Sequence, residues 1–147
     1  MTAADLRQSV LTNANLNYAS LTNADLTYAV LTDTNLAVSD LSNAFLYGAD
    51  LTDAWIVSAN LTSASLYNAD LTGASLRNAN LKNAYLRDAD LTDAYLKDAD
   101  LTDAYLRSAD LTDADFTSAT VTNADFIGTT WSNTIWTDGI AYDTNQA

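Results

Sequence analysis

The hydrophobic residues of the chain recur every five positions, from Leu6, Leu11 and Leu16 onward to Trp136. In an α-helix five residues turn the chain by about 500°, so successive apolar side chains would lie about 140° apart and would share no face. In a flat β-strand an odd spacing would place successive apolar side chains on opposite faces of the sheet. A period of five therefore indicates neither an amphipathic helix nor an ordinary strand.

Each five-residue unit has an apolar centre and a small residue two positions before it. There are 27 such centres, of which 21 are leucine and the others are Ile56, Phe116, Val121, Phe126, Trp131 and Trp136. The small residue is alanine in 22 units and Ser9, Thr34, Ser39, Thr129 or Thr134 in the others. In an extended segment residues two apart point the same way, so both side chains are expected to face the interior. The five hydroxyls among them are expected to need backbone partners.

The repeat resembles that of the pentapeptide-repeat family. It consists of a small residue, Asp or Asn, Leu and two further residues, as in "NADLT", "SANLT" and "DADLT", and it continues over residues 4–138. The resemblance implies an all-β fold, a right-handed quadrilateral parallel β-helix (a solenoid) with four pentapeptides per coil. It also implies that leucine stacks on leucine, and alanine on alanine, from one coil to the next.

The number of units in each coil can be tested on the sequence itself. With twenty residues per coil, the stacked positions 50, 70, 90 and 110 are all Asp. With fifteen, position 50 would stack on Ser, Asn, Tyr and Asp at positions 65, 80, 95 and 110. The uniform column favours four units per coil. The 27 units then make about seven coils and a rod roughly 32 Å long at ~4.8 Å per coil. The β-helix is expected over residues 1–138, with a C-terminal tail at residues 139–147.

Composition limits the partners of the chain. The formal net charge is −13, all 19 acidic residues are Asp, and Pro, Cys and His are absent. Direct nucleic-acid binding is not expected, because phosphate contacts need a basic surface, whereas a basic protein partner would be complementary. No segment resembles a membrane span, and the start "MTAADLRQSV" lacks the features of a secretory leader. The sequence as given indicates the cytoplasm, or the periplasm or thylakoid lumen if a leader was removed.

One predicted face is acidic. Two of its columns hold mostly Asp, and no Lys or Arg falls on the same face. The acidic face comprises Asp50, Asp53, Asp70, Asp90, Asp93, Asp110 and Asp113, and Asp33 extends one of its columns. One interpretation is that Asp serves here as a turn former on a solvated face. The other is that the face binds cations or a basic partner, because the carboxylates repel one another.

Two other predicted faces combine aromatic and basic residues. The first carries the residues that we call the tyrosine patch: Tyr47, Tyr67, Tyr85, Arg87, Tyr105 and Arg107. The opposite face carries Trp55, Tyr95, Arg77 and Lys97. Aromatic residues interleaved with arginine are typical of protein-binding surfaces. Such ladders also stabilise a coil through cross-strand contacts without any partner, and this alternative stays open.

The last units replace leucine with larger rings. Phe126, Trp131 and Trp136 occupy apolar centres near the C-terminus, just before Gly139 interrupts the pattern. These rings are expected either to cap the last coil or to form a homodimer contact, as in family members that dimerise through their C-termini. The first coil is the other candidate for pairing, because uncovered strand edges recruit strands.

The side chains offer little for catalysis. There is no His or Cys, and the carboxylates are expected on a convex, solvated surface, so no catalytic residue, cofactor or specific metal ion is expected. The chain is therefore predicted to be a non-enzymatic scaffold that mediates protein–protein interaction. The alternative comes from the resemblance: some members of the family mimic DNA in shape and charge and inhibit type II topoisomerases such as DNA gyrase.

Overall fold

The fold of the protein was obtained as a computed structural model, which describes residues 4–142. Its backbone forms a ladder of isolated parallel bridges, each between residues twenty apart, from Asp5 with Asp25 to Asp115 with Ile135. The spacing of twenty residues that the aspartate column predicts is thus the spacing of every bridge. Each unit contributes only one bridging residue, because turns separate it from the next, and the ladder is a parallel β-helix without long strands.

A β-turn follows the apolar centre of each unit. Ala14 N–H donates to the Leu11 carbonyl at 2.9 Å, and this i to i+3 bond recurs along the chain. The third residue of the turn has positive φ, as at Asn13 with 58°, while the second does not, which is the pattern of a type II turn. Positive φ recurs at every fifth residue from Gln8 to Asn133. Asn, Asp and Gly tolerate this conformation best, which explains why they recur at this position.

Backbone hydrogen bonds also join one coil to the next. Leu31 N–H donates to the Asp50 carbonyl at 2.6 Å, and Asp33 N–H donates to the Thr52 carbonyl at 3.0 Å. In the other direction, Asp25 N–H donates to the Ala4 carbonyl at 2.9 Å. Each unit therefore satisfies its backbone groups mainly through the coils above and below it, so that a coil depends on its neighbours for stability.

The interior consists of the stacked apolar centres and alanines. Leu26, Leu71 and Leu111 are fully buried, as is Ala74. The hydroxyls at the alanine position all reach backbone carbonyls, as expected. The bonds run from Ser9 to Leu6 at 2.6 Å, Thr34 to Leu11 at 2.8 Å, Ser39 to Leu36 at 2.6 Å, Thr129 to Phe126 at 2.8 Å and Thr134 to Leu111 at 2.7 Å. Among the described residues, no buried side-chain polar atom lacks a hydrogen-bond partner.

A short hairpin follows the bridge ladder. Strands β1 (Thr134–Ile135) and β2 (Ala141–Tyr142) pair antiparallel, with Thr134 opposite Tyr142 and Ile135 opposite Ala141. Gly139 has a φ of 80°, whereas the repeat would place the next positive φ one residue earlier, at position 138. Within the hairpin, Trp136 N–H donates to the Ile140 carbonyl at 2.9 Å. The expected boundary between residues 138 and 139 falls within the loop of this hairpin. The division into a β-helix and a tail stays a prediction.

Val38 is the residue whose backbone conformation disagrees most with its side chain. It is β-branched, yet its φ is 58°, and 48% of its surface is exposed. A left-handed conformation costs an L-residue roughly 1–2 kcal/mol, and Asn tolerates it better than Val. We expect Val38→Asn to stabilise the protein by about 1 kcal/mol and to raise Tm by roughly 2–6 °C in thermal unfolding followed by circular dichroism. Val57→Asn, at a position with negative φ, is the matched control and should give no increase; an equal rise in both variants would contradict the strain at Val38.

Candidate functional site

The carboxylates of one aspartate column on the acidic face hold their own turns. Asp50, Asp70, Asp90 and Asp110 each accept the N–H of the threonine two residues later, at distances of 2.9–3.0 Å. Asn15 and Asn35 make the same Asx-type bond elsewhere on the coil. The bond satisfies a backbone N–H that the ladder does not use, which gives Asp or Asn a structural reason to occupy this column.

The other aspartate column of the acidic face lies in the turns. Asp53, Asp93 and Asp113 have φ values of 55–57°. Asp53 lies directly over Gly73, where a Cβ atom would collide with its Oδ1. None of the carboxylates of the acidic face forms a salt bridge with a described Lys or Arg. The structure therefore gives these residues local roles and leaves their charges without a basic partner; the binding role of the acidic face stays a prediction.

Hydrogen bonds lower the pKa of several carboxyls. At Asp40 the Ser42 hydroxyl and N–H lower the pKa, with smaller contributions from Thr22 and Asn60. Burial alone would raise the pKa of Asp50, but bonds from Thr52 and Thr32 outweigh it, so the net pKa is lowered. The ionised form of these side chains is therefore part of the folded structure.

Residues of the tyrosine patch contact one another. Tyr67 stacks on Tyr85 with ring centroids 5.9 Å apart and planes 17° apart, and Tyr85 stacks on Tyr105 at 5.1 Å and 5°. Arg87 Nε lies 3.2 Å from Asp88 Oδ2, and Arg107 Nε lies 2.5 Å from Asp125 Oδ2. Both arginines are thus paired with carboxylates of the chain itself. Whether the patch binds a partner stays a prediction.

A further contact involves Tyr47, the remaining residue of the tyrosine patch. Its ring meets that of Tyr28 edge to face at 5.3 Å and 88°, and a hydrogen bond with Tyr47 raises the pKa of Tyr28. Tyr28 lies over Gly48, where a Cβ atom would be 2.6 Å from its ring. Sequence reasoning missed this pair, although a glycine one coil after a tyrosine in the same column is a signal for it.

The face opposite the tyrosine patch contains a groove. Trp55 and Tyr95 are 63% and 52% exposed, and they flank Ser75 in one column of bridged residues. The groove has a volume of about 310 Å³. Its lining comprises Asp33, Asp53, Trp55, Val57, Gly73, Ser75, Arg77 and Tyr95. The sequence pointed to the aromatic residues but not to the groove, which forms because Gly73 and Ser75 leave space between larger neighbours. We call it the aromatic groove.

The structure brings the three C-terminal rings together. Phe126 and Trp131 are buried, and Trp136 lies 5.3 Å from Phe126 and 4.6 Å from Trp131 between ring centroids. Phe116, which is fully buried, also contacts Trp136 at 5.4 Å. These contacts continue the core toward β1. The choice between a cap and a dimer contact stays a prediction.

Within residues 4–142 no group of three or more carboxylates is placed to hold a metal ion. The same part of the chain has no helix with the length and apolarity needed to cross a bilayer.

Comparison with known proteins identifies the repeat. The model of the family described as pentapeptide repeats matches in eight copies over residues 1–27, 19–54, 57–94 and 94–133. None of the curated proteins matches the sequence significantly.

Several solved structures are similar to the chain. HetL from the cyanobacterium Nostoc sp. strain PCC 7120, a pentapeptide-repeat protein involved in the regulation of heterocyst differentiation, is 30% identical, with 95% of this chain and 83% of HetL covered and a TM-score of 0.36. A pentapeptide-repeat protein of the Arabidopsis thaliana thylakoid lumen is 27% identical, with coverages of 74% and 69% and a TM-score of 0.46. The plasmid-mediated fluoroquinolone resistance protein QnrB1 is 17% identical, with coverages of 85% and 73% and a TM-score of 0.50. This last likeness concerns the fold alone.

Acid should remove the stabilisation that Asp40 and Asp50 provide. Both have a folded-state pKa below the unfolded value of about 3.9, so their contribution is complete above that pH and is lost as the pH falls through the lower folded pKa. We expect the double variant Asp40→Asn, Asp50→Asn to have a lower Tm than the wild type above about pH 5, and the gap to shrink below about pH 4. Thermal unfolding at a series of pH values measures this difference in Tm between the two proteins. An unchanged gap at all pH values would contradict the role of the charged forms.

Proposed function

The chain belongs to the pentapeptide-repeat family, whose members fold as right-handed β-helices, and we propose that it is a non-enzymatic scaffold that binds another protein through the outside of its coil. Known structures of the family are generally those of structural or interaction proteins.

We infer a quadrilateral cross-section for the coil. Four bridging residues and four turns fall within each interval of twenty residues, which supports one turn at each corner of a square. With 27 units the coil would have about seven turns. A rod of this kind is stiff, because each side is hydrogen-bonded to the sides above and below it.

The observation that carries the proposal is the division between a closed interior and an aromatic exterior. The inward-facing stacks are buried at every position from Leu21 to Ala119, whereas several large aromatic side chains remain exposed on the bridge columns. These are Phe45, Trp55, Tyr85, Tyr95 and Tyr105, of which Trp55 is the most exposed at 63%. Rigidly held aromatic residues on a polar surface are typical anchors of protein contacts.

The partner in this proposal is a protein, and a basic one is favoured. The acidic face has no basic residue within its columns, and the net charge of the chain is −13. The tyrosine patch provides a second candidate surface beside it. A homodimer through a coil end, with Phe126, Trp131 and Trp136 at the C-terminal end, is the form of self-association that we propose.

A DNA mimic that inhibits a type II topoisomerase is the second candidate. The charge of −13 over roughly 32 Å is about one charge per 2.5 Å, against one per ~1.7 Å for duplex DNA. We rank it second because the charge is uneven around the rod. Eight carboxylates without a basic residue among them lie on two neighbouring columns, Asp33, Asp53, Asp93 and Asp113 beside Asp50, Asp70, Asp90 and Asp110, whereas all six Lys and Arg fall among the other eleven aspartates. The bridge register is also uninterrupted from Asp5 to Ile135, without a projecting loop in that range.

The scaffold proposal is tested by a pull-down from the source cell with matched variants. The patch variant combines Tyr85→Ser, Arg87→Ser, Tyr105→Ser and Arg107→Ser, and the control variant combines Ser42→Ala with Thr62→Ala on another side of the coil. We expect a specific partner to be retained by the wild type and the control and lost from the patch variant, because exposed aromatic and arginine side chains dominate binding energy. A partner retained by all three proteins would remove the tyrosine patch from the proposal, and no specific partner would contradict the scaffold role.

The DNA-mimic candidate is tested by adding the purified protein at micromolar concentration to a DNA gyrase supercoiling assay. The scaffold proposal expects no inhibition, because most of the net negative charge lies on one side of the rod. A known gyrase inhibitor serves as the positive control. Strong inhibition would reverse the ranking of the two functions.

A further inference from the structure

In the aromatic groove, one coil of a column of aromatic residues carries a serine instead of a ring. On the tyrosine patch, rings on successive coils stack at 5.1 Å, as Tyr85 does on Tyr105. Trp55 and Tyr95 are two coils apart in one column, with Ser75 between them, so their separation is roughly 10 Å, twice the spacing of adjacent strands. A planar group midway between the two rings would lie about 5 Å from each, which is close to the spacing of the stacked Tyr85 and Tyr105 rings.

The equivalent gap on the tyrosine patch is occupied in part by the chain itself, and a cavity of about 440 Å³ remains beside it. There Ser65 lies between Phe45 and Tyr85 in one column, and Tyr67 from the same coil as Ser65 stacks on Tyr85 at 5.9 Å. The comparison shows that a serine in this column leaves room for one additional planar side chain.

In the aromatic groove the residue that corresponds to Tyr67 is Arg77, ten positions later. Arg77 Nε donates to Ser75 Oγ at 3.3 Å, so a guanidinium already reaches the floor of the groove. Within residues 4–142, Arg77 forms no salt bridge. Its side chain is therefore held by one long, exposed hydrogen bond.

The edge of the groove opposite Arg77 is acidic. Asp33 and Asp53 line this edge, and Asp53 has the space for its carboxylate because Gly73 lacks a side chain. The same column continues into the acidic face, where none of the carboxylates is paired with a basic residue of the described chain. The groove thus joins two aromatic walls to a source of negative potential, which attracts a cationic side chain.

We propose that the aromatic groove binds an arginine side chain of a basic protein partner, with the guanidinium stacked between Trp55 and Tyr95 and hydrogen-bonded to Asp53. The inference rests on the proposed scaffold function and assigns it a surface and a chemistry. Arginine fits better than lysine, because its guanidinium is planar, stacks on aromatic rings and bonds a carboxylate with two N–H groups. Arg77 competes for the same space.

The experiment uses two probe peptides of equal charge and length, an acetylated and amidated peptide with three Arg-Gly units and the same peptide with Lys in place of Arg. Binding to the isotope-labelled full chain is measured by NMR titration at low ionic strength. We expect the arginine peptide to bind about fivefold more tightly than the lysine peptide. Its shifts should centre on Asp53, Trp55, Ser75 and Tyr95.

Three variants test the roles of the groove residues. Trp55→Ala combined with Tyr95→Ala should abolish the preference for arginine but leave the binding of the lysine peptide unchanged. The matched control, Phe45→Ala combined with Tyr105→Ala on the opposite face, should keep the preference. Arg77→Ala should strengthen binding of the arginine peptide, because it removes a competing cation. Backbone NMR spectra of each variant report whether the coil is intact.

The outcomes separate the inference from the function on which it rests. Equal binding of both peptides to the wild type would overturn the arginine site and leave a basic partner for the acidic face in place. No binding of either peptide would overturn both the site and the basic partner. Weaker binding of the arginine peptide to Arg77→Ala would also overturn the site, since Arg77 would then support the binding of that peptide instead of competing with it.

Discussion

The left-handed backbone conformation of the third residue in every turn is the constraint on which the rest of the structure depends. It appears at each fifth position from Gln8 to Asn133, and it turns the chain so that the next centre again points inward. Because only a few residue types tolerate this conformation, the turn also determines much of the outer surface. Asp53 and Asp93 occupy such positions, and Asp70 and Asp90 secure the backbone beside them. The requirements of the backbone therefore favour short polar residues at many of the positions that carry negative charge.

The acidic face carries more charge than its turns require. The turn favours Asn, Asp or Gly, and either Asn or Asp can accept the Asx bond, yet the acidic face uses Asp in both columns. The backbone explains why short polar residues are present, but it does not require that they be charged. The excess of Asp over Asn on this one side is what remains for function or solubility to explain.

The sequence predicted the fold well because the fold depends on contacts between identical positions. The period of five located the interior, and the uniform column through Asp50 and Asp110 predicted the spacing of twenty found in the bridges. Contacts between different columns could not be predicted in this way. The stacking of Tyr67 on Tyr85 and the approach of Arg77 to Ser75 depend on the direction in which long side chains extend from their own column. For the same reason the arginines of the tyrosine patch proved to be paired within the chain, and the aromatic groove on the opposite side became visible only in three dimensions.

The twenty-residue pairing of the bridges also bears on how such a chain tolerates changes in length. Loss or gain of a full circuit between Trp55 and Tyr95 would keep both rings in one column and alter only the number of layers between them. Loss or gain of a single pentapeptide would keep every leucine in the interior but would move all later residues onto the neighbouring side of the rod. Genetic duplications of one unit are thus compatible with folding and disruptive to any surface that spans the insertion point, whereas duplications of four units preserve both.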